Sequence, residues 1–273
     1  MKIGIIGIGF VGGAVKKYFS AKGGNIFVYD KFKHIGSIEE INRADVVFIC
    51  VPTPFHTKKG FDVSAVVDAI KILKEPKIVV IKSSIIPGTA EKLQKQFPQH
   101  KILFNPEFLR EASAFGDMIR PERQIIGYTK NSRNAAQAVM NLLPKAPFQK
   151  IMPALEAEAV KYMANAFLAL RVVFANEFYD ICKKLGADYN LVQQAVGQDH
   201  RIGHSHFNVT DGGYRGYGGS CFPKDVNAII ELASSKSIKV ELLKAMRNIN
   251  RKYLHQSGLT EEYFLKNLHK KKK

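Results

Sequence analysis

A cysteine stands in Gly218-Gly219-Ser220-Cys221-Phe222-Pro223-Lys224-Asp225, after a glycine run and before a stretch that reads as a helix over Asp225–Ser235. A thiol at a helix N-terminus feels the positive end of the dipole, and Lys224 adds a full charge nearby. Both favour thiolate, the nucleophilic form. The run Gly216-Tyr217-Gly218-Gly219 would let the main chain approach a ligand closely. A glycine-rich turn before an ordinary helix, with a cysteine present by chance, is the plain alternative. The octapeptide alone leaves both open.

The second set of residues with chemical meaning opens the chain. Lys2–Ile6 is a short apolar run suited to a buried parallel strand, and it leads into Gly7-Ile8-Gly9-Phe10-Val11-Gly12. Phe10–Phe19 follows helical spacing, and Ile26–Tyr29 reads as a second strand ending at Asp30, 18 residues beyond Gly12. In that setting Gly7 permits a tight turn, Gly9 leaves room for a pyrophosphate and Gly12 permits close helix–strand packing. The helix N-terminus faces the phosphates. Asp30 is placed to bind a ribose diol and to repel a 2′-phosphate, so NAD is favoured over NADP, with the adjacent Lys31 acting against that preference. A merely structural glycine turn is the competing reading.

The elements around these residues alternate. Ala44–Val51 is a strand leading to Pro52-Thr53-Pro54, and Val63–Leu73 is a helix. Lys77–Lys82 is a strand followed by Ser83-Ser84-Ile85-Ile86-Pro87-Gly88-Thr89 and another helix; Lys101–Phe104 and Gln124–Tyr128 are two more strands. This is the order of an α/β fold, a Rossmann-type doubly wound parallel sheet, in which ligands bind beyond the carboxyl ends of the strands. Gly7–Gly12, Thr53, Ser84 and Asn105-Pro106-Glu107 all fall there. Near Pro153 the texture changes. Ala154–Leu185 holds neither Gly nor Pro and repeats its apolar residues at three and four, so one long helix is expected, stopped by Gly186. Helices over Tyr189–Val196, Asp225–Ser235, Val240–Tyr253 and about Glu261–Leu268 follow. We therefore expect two domains, 1–150 and an all-helical 151–273, with the long helix packed against a second subunit.

Composition bounds the class. The 273 residues are 46% hydrophobic and 24% charged, ordinary for a globular chain, and no apolar run reaches membrane-spanning length. The apolar Met1–Val15 lacks the small-residue cleavage site of a signal peptide. Three sparse cysteines suit free thiols in a reducing, cytoplasmic setting. Cys50 and Cys182 lie on an apolar strand and in the long helix, where buried structural thiols are expected. A net charge of +17 invites anionic partners, but the lysines are scattered apart from Lys270–Lys273, and no nucleic-acid-binding signature is present. His200, His204 and His206 lack a carboxylate or cysteine at ligand spacing, so no metal is expected.

With these residues in view, the chain resembles the UDP-glucose/GDP-mannose dehydrogenase family over nearly its whole length. The resemblance rests on Gly7–Gly12 with Asp30, Val51-Pro-Thr-Pro54, Lys82-Ser-Ser-Ile-Ile-Pro-Gly88 and Asn105-Pro-Glu-Phe-Leu-Arg-Glu111, then Lys161, Asn165, Arg201 and Gly218–Asp225, in that order. It implies oxidation of a nucleotide sugar's C6 alcohol to a carboxylate with two NAD, UDP-glucose being the first expectation. Cys221 would form a thiohemiacetal and then a thioester. Glu111 would serve a water or proton step and Ser84 would position water. Lys161, with Asn165 one turn away, would act on the oxyanion or as acid–base, and Asp225 would activate water. Thr53, Ser84, Glu111 and Lys224 would lie near the cofactor. Glu107, Phe108, Leu109, Arg110 and Glu111 would form a substrate-binding stretch with Tyr217 and Gly218, and Arg201 would reach a neighbouring subunit's substrate.

Bland alternatives stay beside these roles: Lys161 and Asn165 as an exposed helical stripe, Glu107 and Glu111 as surface carboxylates at a helix start. The chain also departs from the family. Ser84 replaces the usual threonine, the Arg201–Cys221 loop is lengthened by His204–Gly213, and no segment remains for the C-terminal nucleotide-binding domain into which the family continues. Competing functions are the same chemistry on GDP-mannose or UDP-N-acetylmannosamine, a one-step hydroxyacid dehydrogenase, and an NAD-binding remnant with little turnover.

Overall fold

The computed structural model describes residues 1–56, 60–110 and 113–266. In chain order the elements are β1 (Ile3–Ile6), α1 (Phe10–Ala21), β2 (Ile26–Tyr29), α2 (Ile38–Ile41), β3 (Val46–Ile49), β4 (Phe55–His56), β5 (Gly60–Phe61), α3 (Ser64–Lys71), β6 (Ile78–Ile81) and α4 (Thr89–Gln96). They continue with β7 (Lys101–Phe104), α5 (Ala114–Ile119), β8 (Arg123–Tyr128), α6 (Arg133–Leu142), β9 (Phe148–Pro153), α7 (Ala154–Leu185), α8 (Tyr189–Gly197), α9 (Phe222–Ser235), α10 (Glu241–Gln256) and α11 (Glu261–Lys266).

Seven strands form one sheet in the order β2-β1-β3-β6-β7-β8-β9. The four residues of β3 alternate between the faces. Val46 and Phe48 join the cluster with α1 and α6, while Val47 and Ile49 join the one with α3 and α4. All four are fully buried. Coverage on both faces is why such strands read as continuous apolar runs. From β1 the chain steps outward to β2, then returns past β1 to β3, so β1 and β3 flank the crevice where the winding reverses.

Two features differ from the expected all-parallel sheet. β8 pairs antiparallel with β7, and β9, unread in the sequence, pairs parallel with β8. The exposed Phe148, Gln149 and Lys150 give β9 the texture of an edge, which carries no apolar signal. The short β4 and β5 form a separate ribbon.

Packing divides the chain into two compact units, Met1–Thr53 with Phe61–Lys161, and Pro54–Gly60 with Tyr162–Lys273. The first turns of α7, up to Lys161, belong to the sheet's packing. Ala154 and Ala157 are buried in its core, and a Cβ on Gly127 of β8 would lie 2.7 Å from the Ala157 Cβ. In the helical unit one core joins α7, α9 and α10 through Val173, Val226 and Met246. A second, smaller core holds Cys182, Tyr189, Phe207 and Val209, so the long loop before Cys221 is anchored from within. α9 begins at Phe222, earlier than expected, because Pro223 suits the first turn of a helix. Among the described residues no helix is long and apolar enough to cross a membrane.

Candidate functional site

The glycine turn after β1 is shaped by contacts that exclude side chains. Gly7 has φ +87, and a Cβ there would sit 2.8 Å from the Cys50 carbonyl oxygen at the end of β3. A Cβ on Gly12 would lie 1.9 Å from the Gly7 carbonyl oxygen, whereas one on Gly9 would meet nothing within 4 Å. Two glycines therefore serve packing and the third leaves open space beside the N-terminus of α1. Phe10 and Val11 supply the first turn of that helix, whose leading amides have no intrahelical acceptor.

Asp30 is buried and holds this turn from β2. Its Oδ2 accepts the Ile8 amide at 2.7 Å, and its Oδ1 accepts the amides of Phe32 and Lys33 at 3.0 Å each. Lys33 Nζ donates to the Ile8 carbonyl at 2.6 Å. A carboxylate offers about four lone-pair positions, and three are engaged, so Oδ2 retains room for one hydroxyl donor. The open face at Gly9, the free helix amides and the spare acceptor fit a dinucleotide diphosphate and its ribose. NAD held there would be cradled by Gly7–Gly12, with Asp30 at the ribose.

The next loops converge on the same sheet edge. Ser83 Oγ donates to the Val51 carbonyl at 2.7 Å, tying the exit of β6 to that of β3; Thr53 is buried and Ser84 is half-buried. Lys82 Nζ donates to Asn105 Oδ1 at 2.6 Å, and Asn105 Nδ2 donates to the Ile125 carbonyl at 2.8 Å. Burial pulls the Lys82 ammonium below the usual lysine range; Cys50 and Glu107 oppose that and Lys161 adds to it. Burial likewise pushes the Cys50 thiol up to about 12, so it stays protonated and inert.

Glu107 and Lys161 are brought together. Lys161 Nζ lies 2.7 Å from Glu107 Oε1 and 2.7 Å from the Glu107 carbonyl oxygen, with both side chains buried, and Glu107 Oε2 accepts the Leu109 amide. Neither belongs to an exposed stripe, and no helix starts at Glu107. Phe108 lies under the Arg123 guanidinium, 3.9 Å from its ring centroid. Leu109 is half-buried, while the exposed Arg110 is held by Asp117 at 2.7 Å and pulls that carboxyl down to about 2. Glu111 lies outside the described residues.

In the helical unit Cys221 is the N-cap of α9 and is half-buried, with Ser220 Oγ 3.6 Å from its sulfur. Four residues on, the buried Asp225 accepts from Lys224 Nζ at 2.8 Å and from Asn165 Nδ2 at 2.6 Å. The Lys224 charge is thus paired with Asp225 as well as lying near the thiol in sequence. Asn165 turns to Asp225 while Lys161 turns to Glu107, so the two α7 residues serve different partners. The glycine run is fixed from behind: Asn250 accepts the Tyr217 amide at 2.6 Å and donates back to its carbonyl at 3.0 Å. A Cβ on Gly216 (φ +83) would press on that Asn250 oxygen. The Tyr217 ring is buried against α7 and α9, its main-chain amide and carbonyl are both engaged by Asn250, and a Cβ on Gly218 would press on the Phe264 ring and the Tyr214 hydroxyl. Burial pushes the Tyr217 phenol far above the ordinary range. Arg201 is exposed and paired with Asp199 at 2.6 Å. No cluster suited to a metal occurs among the described residues.

Sequence reasoning missed the residues that hold others in place. Arg215 lies between the Tyr179 and Tyr253 rings, at 4.6 and 4.7 Å, and donates to Asp180 at 3.0 Å. Asn250, Lys33 and Glu158 act similarly, and no spacing in the sequence marks them.

A glycine turn at the reversal point of a wound sheet, gripped by the carboxylate of the neighbouring strand, defines a dinucleotide-binding protein of the Rossmann class. Residues 31–143 match the model for the UDP-glucose/GDP-mannose dehydrogenase family, NAD binding domain, and residues 155–252 match that family's central domain. The chain belongs to this family and carries its NAD-binding domain. It is 36% identical over 226 residues to UDP-glucose 6-dehydrogenase YwqF of Bacillus subtilis, covering 76% of this chain and 49% of that one. It is 33% identical over 231 residues to UDP-glucose 6-dehydrogenase of Rickettsia prowazekii, covering 81% and 52%. The chain thus spans about half the length of these curated relatives. The solved structure of a UDP-glucose dehydrogenase from Pyrobaculum islandicum superposes with a TM-score of 0.82 at 30% identity, covering 93% of this chain and 68% of that one.

Proposed function

We propose that this chain is an NAD-dependent nucleotide-sugar 6-dehydrogenase that oxidises UDP-glucose to the uronate. The nucleotide and sugar follow the names of its relatives. The observation that carries the chemistry is Cys221: of three free cysteines it alone is not buried, and it caps the start of α9 beside a buried Asp225. NAD supplies a two-electron acceptor in each of two steps. The C6 alcohol first loses a proton and a hydride to give an aldehyde, and the Cys221 thiolate adds to that carbonyl. Loss of a second hydride leaves a thioester. Water cleaves its C–S bond, the carboxylate departs and the thiolate returns. One alcohol, two NAD and one water thus give one carboxylate, two NADH and three protons.

The other residues take roles their chemistry allows. Lys161 steadies the oxyanion or exchanges its proton, Asn165 and Asp225 orient the hydrolytic water, and Ser84 and Glu111 place a water beside the cofactor. Thr53 and Lys224 contact the cofactor. Glu107–Glu111, Tyr217 and Gly218 hold the substrate, and Arg201 reaches that of a neighbouring copy. Residues 1–150 serve as the NAD-binding domain and 151–273 as the domain that dimerises and carries the thiol. The dimer forms through α7, whose exposed Met163, Phe167, Phe174, Phe178, Ile181 and Leu185 follow a coiled-coil-like spacing. We place the protein in the cytoplasm, where its thiols stay reduced.

Mixing the protein with NAD and UDP-glucose tests this: two NADH should appear per sugar, and Cys221→Ser should form no uronate. Absence of NADH with UDP-glucose, GDP-mannose and UDP-N-acetylmannosamine alike overturns it. A second reading is NAD binding with little turnover. It is the outcome if NAD binds and no sugar is oxidised.

A further inference from the structure

Among the described residues of the sheet unit Glu158 is the most deeply buried carboxylate, at 0% exposure. It lies in the first turns of α7 and reaches across to α4. One carboxylate oxygen accepts the Gly88 amide and the other accepts the Ala90 amide at 2.8 Å. Gly88, the N-cap of α4, has φ +92 and no side chain with which to satisfy those amides itself. The loop between β6 and α4 is therefore pinned at both ends, by Ser83 to the Val51 carbonyl and by Glu158 at Gly88 and Ala90. Ser84 sits between the pins.

We propose that Glu158 is a positioning residue for the dinucleotide crevice: by holding Gly88 and Ala90 it sets the Ser83–Gly88 loop, with the Ser84 hydroxyl, against the exits of β1 and β3. The proposal rests on the reading that this crevice holds NAD. Two amide donors call for two acceptor oxygens, which an ionised carboxylate has and a glutamine has not. A protonated carboxyl turns one oxygen into a hydroxyl that faces an amide donor poorly. The grip is therefore complete only when Glu158 is charged. Burial raises its carboxyl to about 7; the Ala90 and Gly88 amides oppose this, Glu91 of α4 adds to it and Lys92 opposes it. Glu91 is itself occupied by the Lys130 amide, and Lys161, one turn along α7, is occupied by Glu107.

The test measures NAD dissociation constants for the whole chain by calorimetry between about pH 5.5 and 8.5, in the wild type and Glu158→Gln. Amide exchange protection at Gly88 and Ala90 is followed in parallel. We expect the wild type to bind NAD roughly three- to ten-fold more tightly at the alkaline end, the worth of about one ordinary hydrogen bond. Glu158→Gln should bind at the weaker level throughout and lose protection at Ala90, with β3 amides unchanged. A variant with wild-type pH dependence and wild-type protection at Ala90 overturns the proposal. If the variant does not fold, wild-type protection at Ala90 that stays constant across pH 7 overturns it equally. A wild type that binds no NAD at any pH sinks the crevice reading instead, while the exchange data still report on the loop.

Discussion

Lys161 Nζ sits 2.7 Å from the Glu107 carboxylate and the same distance from the Glu107 main-chain oxygen, joining α7 to the loop after β7. Both side chains are buried, so the pair ties the loop after β7 to the first turns of α7 away from solvent. Lys161→Met should cost about 3–5 kcal/mol of stability by stranding a buried carboxylate. The double variant with Glu107→Gln should recover much of that loss while oxidising no sugar. Urea titrations of both proteins measure it, and additive losses would argue against the coupling.

The cysteines should separate by reactivity. Cys221 is half-buried at a helix start, whereas Cys50 and Cys182 are buried and burial holds the Cys50 thiol at about 12. Brief iodoacetamide treatment at neutral pH, read by peptide mass, should alkylate Cys221 first. Prior saturation with UDP-glucose should slow it. Faster labelling at Cys50 would contradict the assignment.

Glycine substitutions should divide stability from binding. Gly12→Ala forces a Cβ to 1.9 Å from the Gly7 carbonyl oxygen and should cost about 2–3 kcal/mol. Gly9→Ala meets no protein atom within 4 Å, so its melting temperature should hardly move while NAD affinity falls. Equal melting losses in the two variants would refute this division.

Glu158 also predicts how stability varies with pH. Its folded-state carboxyl is raised to about 7 from an unfolded value near 4.5. The folded chain therefore binds that proton more tightly, and the associated stability is complete below about pH 4.5 and lost as pH rises through 7. The upper bound is about 3 kcal/mol for a shift of that size. Denaturant unfolding of the wild type relative to Glu158→Gln should reveal this slope between pH 4.5 and 7, and parallel curves would exclude it.

The exposed apolar stripe of α7 should mediate self-association. The Phe174 and Phe178 rings lie 4.7 Å apart between centroids on that face, tilted by 39°. Phe174→Glu with Phe178→Glu should convert a dimer to monomer in sedimentation velocity, with the circular dichroism spectrum retained. A wild type that sediments as a monomer at high concentration removes the dimer.

What the sequence by itself determined was local. The glycine turn, the strands of the first half and the stop of α7 before Gly186 follow from φ restrictions, from apolar runs and from one helical period held over 32 residues. The edge strand β9 and the reversed pairing of β8 stayed hidden, because exposed residues and strand direction leave no periodic trace. Tertiary structure alone decided the partners: Lys161 with Glu107, Asn165 with Asp225, Glu158 with Ala90. Each pair is separated by more than fifty residues, and such a contact is specified by how sheets and helices pack, not by any spacing along the chain. Burial, which leaves Cys221 accessible and seals Cys50, is likewise a property of the packed whole.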